Sequence, residues 1–541
     1  MKHYPILKNK WFLYLTEFFA GVSVMAVELG ASRLLAPYFS SSQIVWTIII
    51  GVIMIAMALG NLYGGRAADK NPDPARLYRR ILIAAVWIAA IPVAGKYVIL
   101  GVSALLVLAV NVNFLIWAAF ASCMIVFVFP LFLLGTVTPC LVKAVAESLD
   151  ESGRTVGRLG ACNTIGSILG TFLPTFVTIP AVGTAATFLI FSGILLAIAL
   201  IFFISSKIKK PAPYIAAALF VLCVIFGRNN SFAFWEKDLV YEGESIYNYL
   251  QVSEDPKRVI LSTNVLFGVQ SVAMKEGGLT GFYYDYALAA PVMAGTEKPS
   301  VLVLGNGSGT FASQCVRYFP GCTVEGVEID GKITQLAEEY FSLPAEVKVT
   351  EYDGRAYIQT VEELYDVIMV DAYQDITIPF QMSTVEFFTL VRDHLHENGV
   401  MVVNISMYSD EEESIGHYLS DTIASVFGNV AAADVPFSTN CELFAVKSGD
   451  PAALLAAGTE KLAEPELKAM MEKAAASLRA YEAGDRILTD DKAPVEVLGM
   501  RMIDSLIREE LGYFKRVFEE EGLSGLLKSL GMCDLKIKER R

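Results

Sequence analysis

Four groups, each at the end of an apolar run, carry the chemistry this sequence could do. Val301-Leu302-Val303-Leu304 runs into Gly305-Asn306-Gly307-Ser308-Gly309, followed by Val327-Glu328-Ile329-Asp330, Asp353-Gly354-Arg355 and Val370-Asp371. A glycine-rich turn after a strand lets the backbone approach a ligand without Cβ clashes. Glu328, about 20 residues further on, can accept both hydroxyls of a ribose. Asp353 can hold an adenine amino group. Asp371 ends its run at the strand edge where open α/β sheets keep the reacting centre. A carboxylate there can orient a primary amine and take its proton as the nitrogen attacks. Free alkylamines resemble lysine, with a pKa of about 10.4, so the cation binds first. The set points to an adenosine-containing ligand and leaves a dinucleotide and an S-adenosyl compound both open.

The elements that must position these groups follow from periodicity. From residue 299 short apolar runs at 301–304, 323–328, 347–351, 367–370 and 400–405 alternate with helical patterns such as 332–341 and 384–394. This predicts a doubly wound α/β sheet. Runs at 430–435 and 443–446 read as an antiparallel pair at its edge. Residues 235–298 alternate polar and apolar between turn signals and predict a small β-rich lobe, with a helical stretch at 284–294. Beyond residue 450 the tail reads as helical and charged, and Leu488–Glu496 as a capped turn or a source of further acids for the site.

The first 228 residues are of another kind. Apolar stretches at 11–35, 43–62, 81–99, 114–139, 159–180, 184–204 and 213–227 read as spans, the last marginal because crossing needs about 20 apolar residues. A short piece at 102–110 reads as re-entrant or packed. Lys and Arg gather before the first span and after the second, fourth and sixth, which places the N-terminus in the cytoplasm. The soluble half is then cytoplasmic if 213–227 does not fully cross, the reading favoured here, and outside if it does. Glu28, five residues before Arg33 in the first span, is a functional candidate because ionisable groups in spans are costly. Glycines such as Gly60, Gly64, Gly166 and Gly170 predict close helix packing.

Charge divides the chain the same way. The net charge of −14 combines +10 up to Arg228 with −24 after it. So acidic a soluble half argues against nucleic-acid binding and suits a cationic small substrate. The eight cysteines show no metal-ligand spacing and read as free thiols. No cleavable signal pattern is legible, because the first apolar run is too long.

With Glu244-Ser245-Ile246-Tyr247-Asn248 and Tyr283-Tyr284-Asp285 added, the ordered motifs resemble the spermidine synthase (polyamine aminopropyltransferase) family, and within it the membrane-fused bacterial subgroup. The resemblance covers roughly 238–450 and extends plausibly to the membrane half. It implies a multi-span α-helical membrane domain (1–228), a small β lobe (235–298), an S-adenosylmethionine-methyltransferase-like doubly wound sheet (299–450) and a helical tail (451–541). It implies transfer of an aminopropyl group from decarboxylated S-adenosylmethionine to putrescine or a related amine, releasing methylthioadenosine without a metal. By it, Asp371 is the proton acceptor. Asn248, Tyr284, Gly305, Gly307, Ser308, Gly309, Glu328, Asp353 and Gly354 bind the co-substrate. Tyr283, Asp285, Asp371 and Asp375 bind the amine. A lipid bilayer is a further partner, and a homodimer is compatible with the resemblance.

Three positions depart from the family pattern: Ser308 stands where an Asp is usual, Asn248 where a Gln is, and Gln374 where a second Asp is. These departures keep two alternatives in view: an S-adenosylmethionine-dependent methyltransferase, and a non-catalytic membrane transporter or sensor that binds a nucleoside or polyamine.

Overall fold

A computed structural model describes residues 4–505 apart from 40–41, 111, 146–151, 228–230, 235, 237, 266–268, 374–377, 407 and 409–412, together with 507, 508, 512, 516, 517 and 520–522. The chain divides into two units, Met1–Glu236 and Lys237–Arg541.

The first unit is helical: α1 (Lys10–Phe39), α2 (Gln43–Lys70), α3 (Pro74–Ala109), α4 (Phe114–Val126), α5 (Val128–Gly135), α6 (Val137–Val145), α7 (Ser152–Leu173), α8 (Ile179–Ser205) and α9 (Ala212–Gly227). Among the described residues, five helical segments are long and apolar enough to cross a membrane by length and composition, as a membrane domain requires. One of them, Gly153–Ser205, holds two of the expected spans. They part at a wide turn over Pro174–Thr178 and at Gly183, whose φ of 81° breaks the helical path.

Two expectations are corrected here. The piece at 102–110 is not a separate re-entrant segment: α3 runs on through Gly101 to Ala109. The stretch 114–139 is not one helix but α4, α5 and the start of α6. Pro130 has no N–H to offer the carbonyl of Val126, and the indole of Trp87 donates to that oxygen instead, at 2.9 Å.

The fully buried acid of α1 is Glu17; Glu28 is half-buried. One oxygen of Glu17 accepts from the Thr138 hydroxyl of α6 and, at 2.9 Å, from the Asn163 amide of α7.

In the second unit β1 (Leu239–Glu244), β2 (Tyr249–Glu254), β3 (Arg258–Ser262) and β4 (Ser271–Met274) form an antiparallel sheet in sequence order. The helices α10 (Tyr283–Ala287) and α11 (Ala289–Ala294) follow. Then come β5 (Ser300–Leu304), α12 (Thr310–Tyr318), β6 (Thr323–Glu328), α13 (Gly331–Tyr340), β7 (Lys348–Glu351), α14 (Gly354–Ile358), β8 (Tyr365–Val370), α15 (Val385–Asp393) and β9 (Leu395–Ile405). The chain continues through α16 (Ile415–Phe427), β10 (Asn429–Asp434), β11 (Cys441–Val446), α17 (Pro451–Glu460), α18 (Pro465–Ser477) and β12 (Leu478–Ala480).

The larger sheet has the order β12-β10-β11-β9-β8-β5-β6-β7. Strands β7, β6, β5, β8 and β9 are parallel. Their residues are apolar on both faces because helices cover both, as in doubly wound sheets. The chain leaves β5 toward β6 on one side and β8 lies on the other, so the crevice opens between the turns after β5 and β8.

The antiparallel pair β10–β11 forms as expected, but inside the sheet, with β11 on β9 and β12 on β10. Strand β12 lies in the tail expected to be helical. Three residues carry too little periodicity to be read alone.

Candidate active site

The turn after β5 is held in the left-handed region, with φ of 88° at Gly305 and 77° at Gly309. At Gly305 a Cβ would lie 2.6 Å from Ala372 Cα and from the carbonyl oxygen of Asp371, so only glycine lets the turns after β5 and β8 meet. Beneath them lies a cavity of about 260 Å³. It is walled by Gly305 and Gly307, Glu328 at the end of β6, Asp353 and Gly354 at the start of α14, and Asp371 after β8. Asn248 and Tyr284 from the small lobe and α10 reach the same space.

Each acid is set by local structure. Glu328 is 7% exposed, accepting from the Gly307 N–H at 2.9 Å and the Asp330 N–H at 3.1 Å. Burial pushes its carboxyl up to about 7, the two backbone donors pull it back, and the Asp330 charge adds to the rise. Asp353 is the N-cap of α14, accepting from Ala356 N–H at 2.8 Å, a contact typically worth about 1 kcal/mol. Arg355 behind it pairs both nitrogens with Asp490 and donates to the Gln381 carbonyl at 2.8 Å. This ties the tail to the cavity wall at Gln381. The segment around 490 therefore acts as a buttress: Asp490 is engaged by Arg355 and by Thr384 at 2.7 Å.

Asp371 is the chemically distinct group. Its backbone N–H donates to the Leu304 carbonyl at 2.9 Å, joining β8's end to β5. Its Oδ2 accepts from the Tyr283 phenol at 2.6 Å and its Oδ1 from the Asn404 amide at 3.0 Å. Loss of water around the carboxyl pushes it up to about 7; the Tyr283 and Asn404 bonds pull it down, and the Glu328 charge adds to the rise. Burial, then the charge of Asp371, pushes the Tyr283 phenol well up, so it stays a donor. The Tyr283 and Tyr284 rings lie 4.0 Å apart, with the Tyr284 hydroxyl on the Gln270 carbonyl at 3.2 Å. A carboxylate near neutrality, steered by two donors, can take a proton from an amine.

Three expected site residues lie elsewhere. Ser308 points its hydroxyl at Thr310, 2.9 Å away, on a second cavity of about 240 Å³ lined also by Arg317. Gly309 gives the turn its shape without lining the first cavity. Asp285 is buried under the turn at 280–281, accepting from the backbone N–H groups of Thr280 and Gly281 and from the Gln314 amide. Its oxygens are spent on that turn and on Gln314 of α12. Asn248 lines the cavity while donating to Asp330 at 3.0 Å. Asp375 and Gln374 lie outside the described residues.

Sequence reasoning missed Asn404, Gln381 and Tyr373. Asn404 had a signal: it is the polar residue inside the apolar run at 400–405. Tyr373 donates to the Asn404 carbonyl and accepts from the Ser406 N–H at 2.8 Å, bracing the turn after Asp371.

Residues 282–452 match the family described as "Spermine/spermidine synthase domain". The chain is 53% identical over 348 residues to a probable polyamine aminopropyl transferase of Bifidobacterium longum, covering 61% of this chain and 78% of that one. This chain belongs to the polyamine aminopropyltransferase family.

A second family member, the polyamine aminopropyltransferase of Oceanobacillus iheyensis, is 26% identical over 315 residues, covering 54% of this chain and 60% of its own length. Among solved structures the spermidine synthase from Thermotoga maritima is 20% identical with a TM-score of 0.36, covering 44% of this chain and 84% of its own. As in any aminopropyltransferase, the chemistry must place an electrophilic carbon against an amine. Here the cavity wall brings Asp371, Glu328 and Asp353 to one space.

Proposed function

We propose that the second unit transfers the aminopropyl group of decarboxylated S-adenosylmethionine to putrescine or a related amine, releasing methylthioadenosine. The observation that carries this is the Asp371 carboxylate, clamped by Tyr283 and Asn404 on the wall that also holds Glu328 and Asp353.

Glu328 accepts the ribose hydroxyls and Asp353 the adenine amino group, using lone pairs that the backbone donors leave open. Asp371 takes a proton from the bound ammonium, which frees the nitrogen lone pair. The nitrogen attacks the methylene carbon beside the sulfonium. A carbon–nitrogen bond forms, the carbon–sulfur bond breaks, and its electron pair neutralises the sulfur to a thioether. The leaving group is already cationic, so positioning and proton removal suffice.

The five long apolar segments support a membrane-embedded first unit. The basic loops support a cytoplasmic N-terminus. We place the second unit on the cytoplasmic side, where the co-substrate is made.

The test is purified full-length protein with decarboxylated S-adenosylmethionine and putrescine. Methylthioadenosine should be released by the wild type and not by Asp371→Asn. Formation of S-adenosylhomocysteine from S-adenosylmethionine, with no methylthioadenosine, would instead support methyl transfer.

A further inference from the structure

Three strands bring three polar side chains into one row at the carboxyl edge of the sheet. Val370 pairs with Val403, so Asp371 lies beside Asn404, and Asn404 pairs with Glu442 on β11. Cross-strand partners point to the same face. That is the face under α10, which packs on β9 and β11 and carries Tyr283. Phe444 and Val446, two and four residues beyond Glu442, belong to the core on this face with Val402 and Met369.

Glu442 is 0% exposed, and neither of its carboxyl oxygens has a hydrogen-bond partner among the described residues. The other acids of this edge are engaged: Glu328, Asp353 and Asp371 each accept hydrogen bonds, and Asp490 is held by Arg355. Asn404 does not serve Glu442: its amide is turned to Asp371 at 3.0 Å and its side-chain oxygen accepts from Asn440 at 2.8 Å. Ala433, the partner of Glu442 on β10, has no polar side chain. A buried carboxyl without donors is costly to keep, so a residue of this kind calls for a ligand that brings donors and positive charge. An alkylammonium brings both. Burial, then the negative charge of Asp371, pushes the Glu442 carboxyl well up, which marks the two acids as close enough to sense each other.

We propose that Glu442 is the anchoring carboxylate for the second, non-reacting ammonium of the acceptor, and that it makes the site selective for diamines over monoamines. The proposal rests on the aminopropyl-transfer reading above. Neighbouring strands lie about 4.8 Å apart, so the backbones bearing Asp371 and Glu442 are separated by roughly 10 Å. Side chains leaning over that gap bracket a short aliphatic diamine, one amine at Asp371 and the other at Glu442, with the Asn404 amide between them.

The experiment measures methylthioadenosine release by the full-length protein at saturating decarboxylated S-adenosylmethionine. Putrescine is compared with butylamine, which has the same carbon chain and one ammonium, as substrate or competitor. Glu442→Gln should raise the KM for putrescine roughly ten- to a hundredfold, the weight of a hydrogen bond to a charged group, with kcat changed far less. Butylamine should bind wild type and variant alike, so the diamine preference collapses. Glu442→Leu should do the same while keeping the fold, because it fills the site with an apolar side chain. An unchanged KM for putrescine in both variants, or equal losses for the two amines, overturns the proposal and leaves Glu442 a buried neutral acid. A wild type that releases no methylthioadenosine from any amine overturns the aminopropyl-transfer reading, and this proposal with it. Release by the wild type with indifferent variants overturns the proposal alone.

Discussion

The two units use glycine for opposite purposes. In the helical unit a Cβ at Gly166 would lie 2.1 Å from the Phe18 carbonyl oxygen, and one at Gly170 2.2 Å from that of Val22. Both glycines have ordinary helical geometry and let α7 touch the backbone of α1. In the α/β unit Gly305 has a φ of 88° and lets one turn touch another beside the cavity. The first use brings helices into close backbone contact, the packing that small residues give between apolar helices. The second lets two turns meet at the wall of a cavity. Buried acids follow the same division. One oxygen of Glu17 is held by donors from two other helices, whereas neither carboxyl oxygen of Glu442 has a donor among the described residues.

The sharpest way to break this contrast is to remove a reacting group from each side. Asp371→Asn should lower kcat about a thousandfold, within the range for losing a general base, measured as methylthioadenosine release. Glu17→Gln should leave that rate unchanged. Equal losses would mean that the helical unit takes part in the reaction.

Glycine substitutions sharpen the comparison. Gly305→Ala combines a left-handed backbone with a clash and should destabilise the α/β unit by on the order of 3 kcal/mol, read as a lowered denaturation midpoint and lost co-substrate binding. Gly166→Ala should cost about 1–3 kcal/mol in detergent and leave co-substrate affinity alone. Gly65→Ala, where a Cβ would meet nothing within 4 Å, is the control and should be silent.

The pH dependence is smaller still. Asp371 must be ionised to accept a proton, and its carboxyl is pushed up to about 7. The rate should therefore rise with pH through about 7 and fall about tenfold for each unit below it. For stability the sign is reversed. An ordinary aspartate titrates at about 3.9, so the folded protein holds this proton more tightly than the unfolded chain does. That contribution is full below about 4 and is lost as pH rises through about 7. A pH–rate profile beside a denaturation series checks both signs.

The smallest effect is expected at the buttress. Asp490→Ala removes a paired contact to Arg355 that is 41% exposed on the acid side, and should cost about 1 kcal/mol, read as a small fall in melting temperature.

Much of this was legible before the fold was known. The strands ending in Gly305, Glu328 and Asp371 were readable because a buried parallel strand is a short apolar run with a polar group at its carboxyl end. The boundary between the units was readable from hydropathy and charge. The break in the stretch 114–139 was not, since a proline in an apolar run is compatible with a kinked helix until a neighbour such as Trp87 takes the freed carbonyl. Nor was the fate of Asp285: an acid beside two tyrosines reads as a ligand contact, and only the turn packed over it shows where its oxygens go.

The sequence by itself determined the elements and the acids at their ends, because backbone periodicity and turn chemistry act over a few residues. It also determined the family, through motifs kept in order. Tertiary structure decided which acids share one space, because that depends on strand order and register. Loop and tail packing turned Ser308 away from the cavity wall, spent Asp285 on a turn and set Asp490 against Arg355. Register aligned Asp371, Asn404 and Glu442, residues far apart in sequence, into one row across three strands.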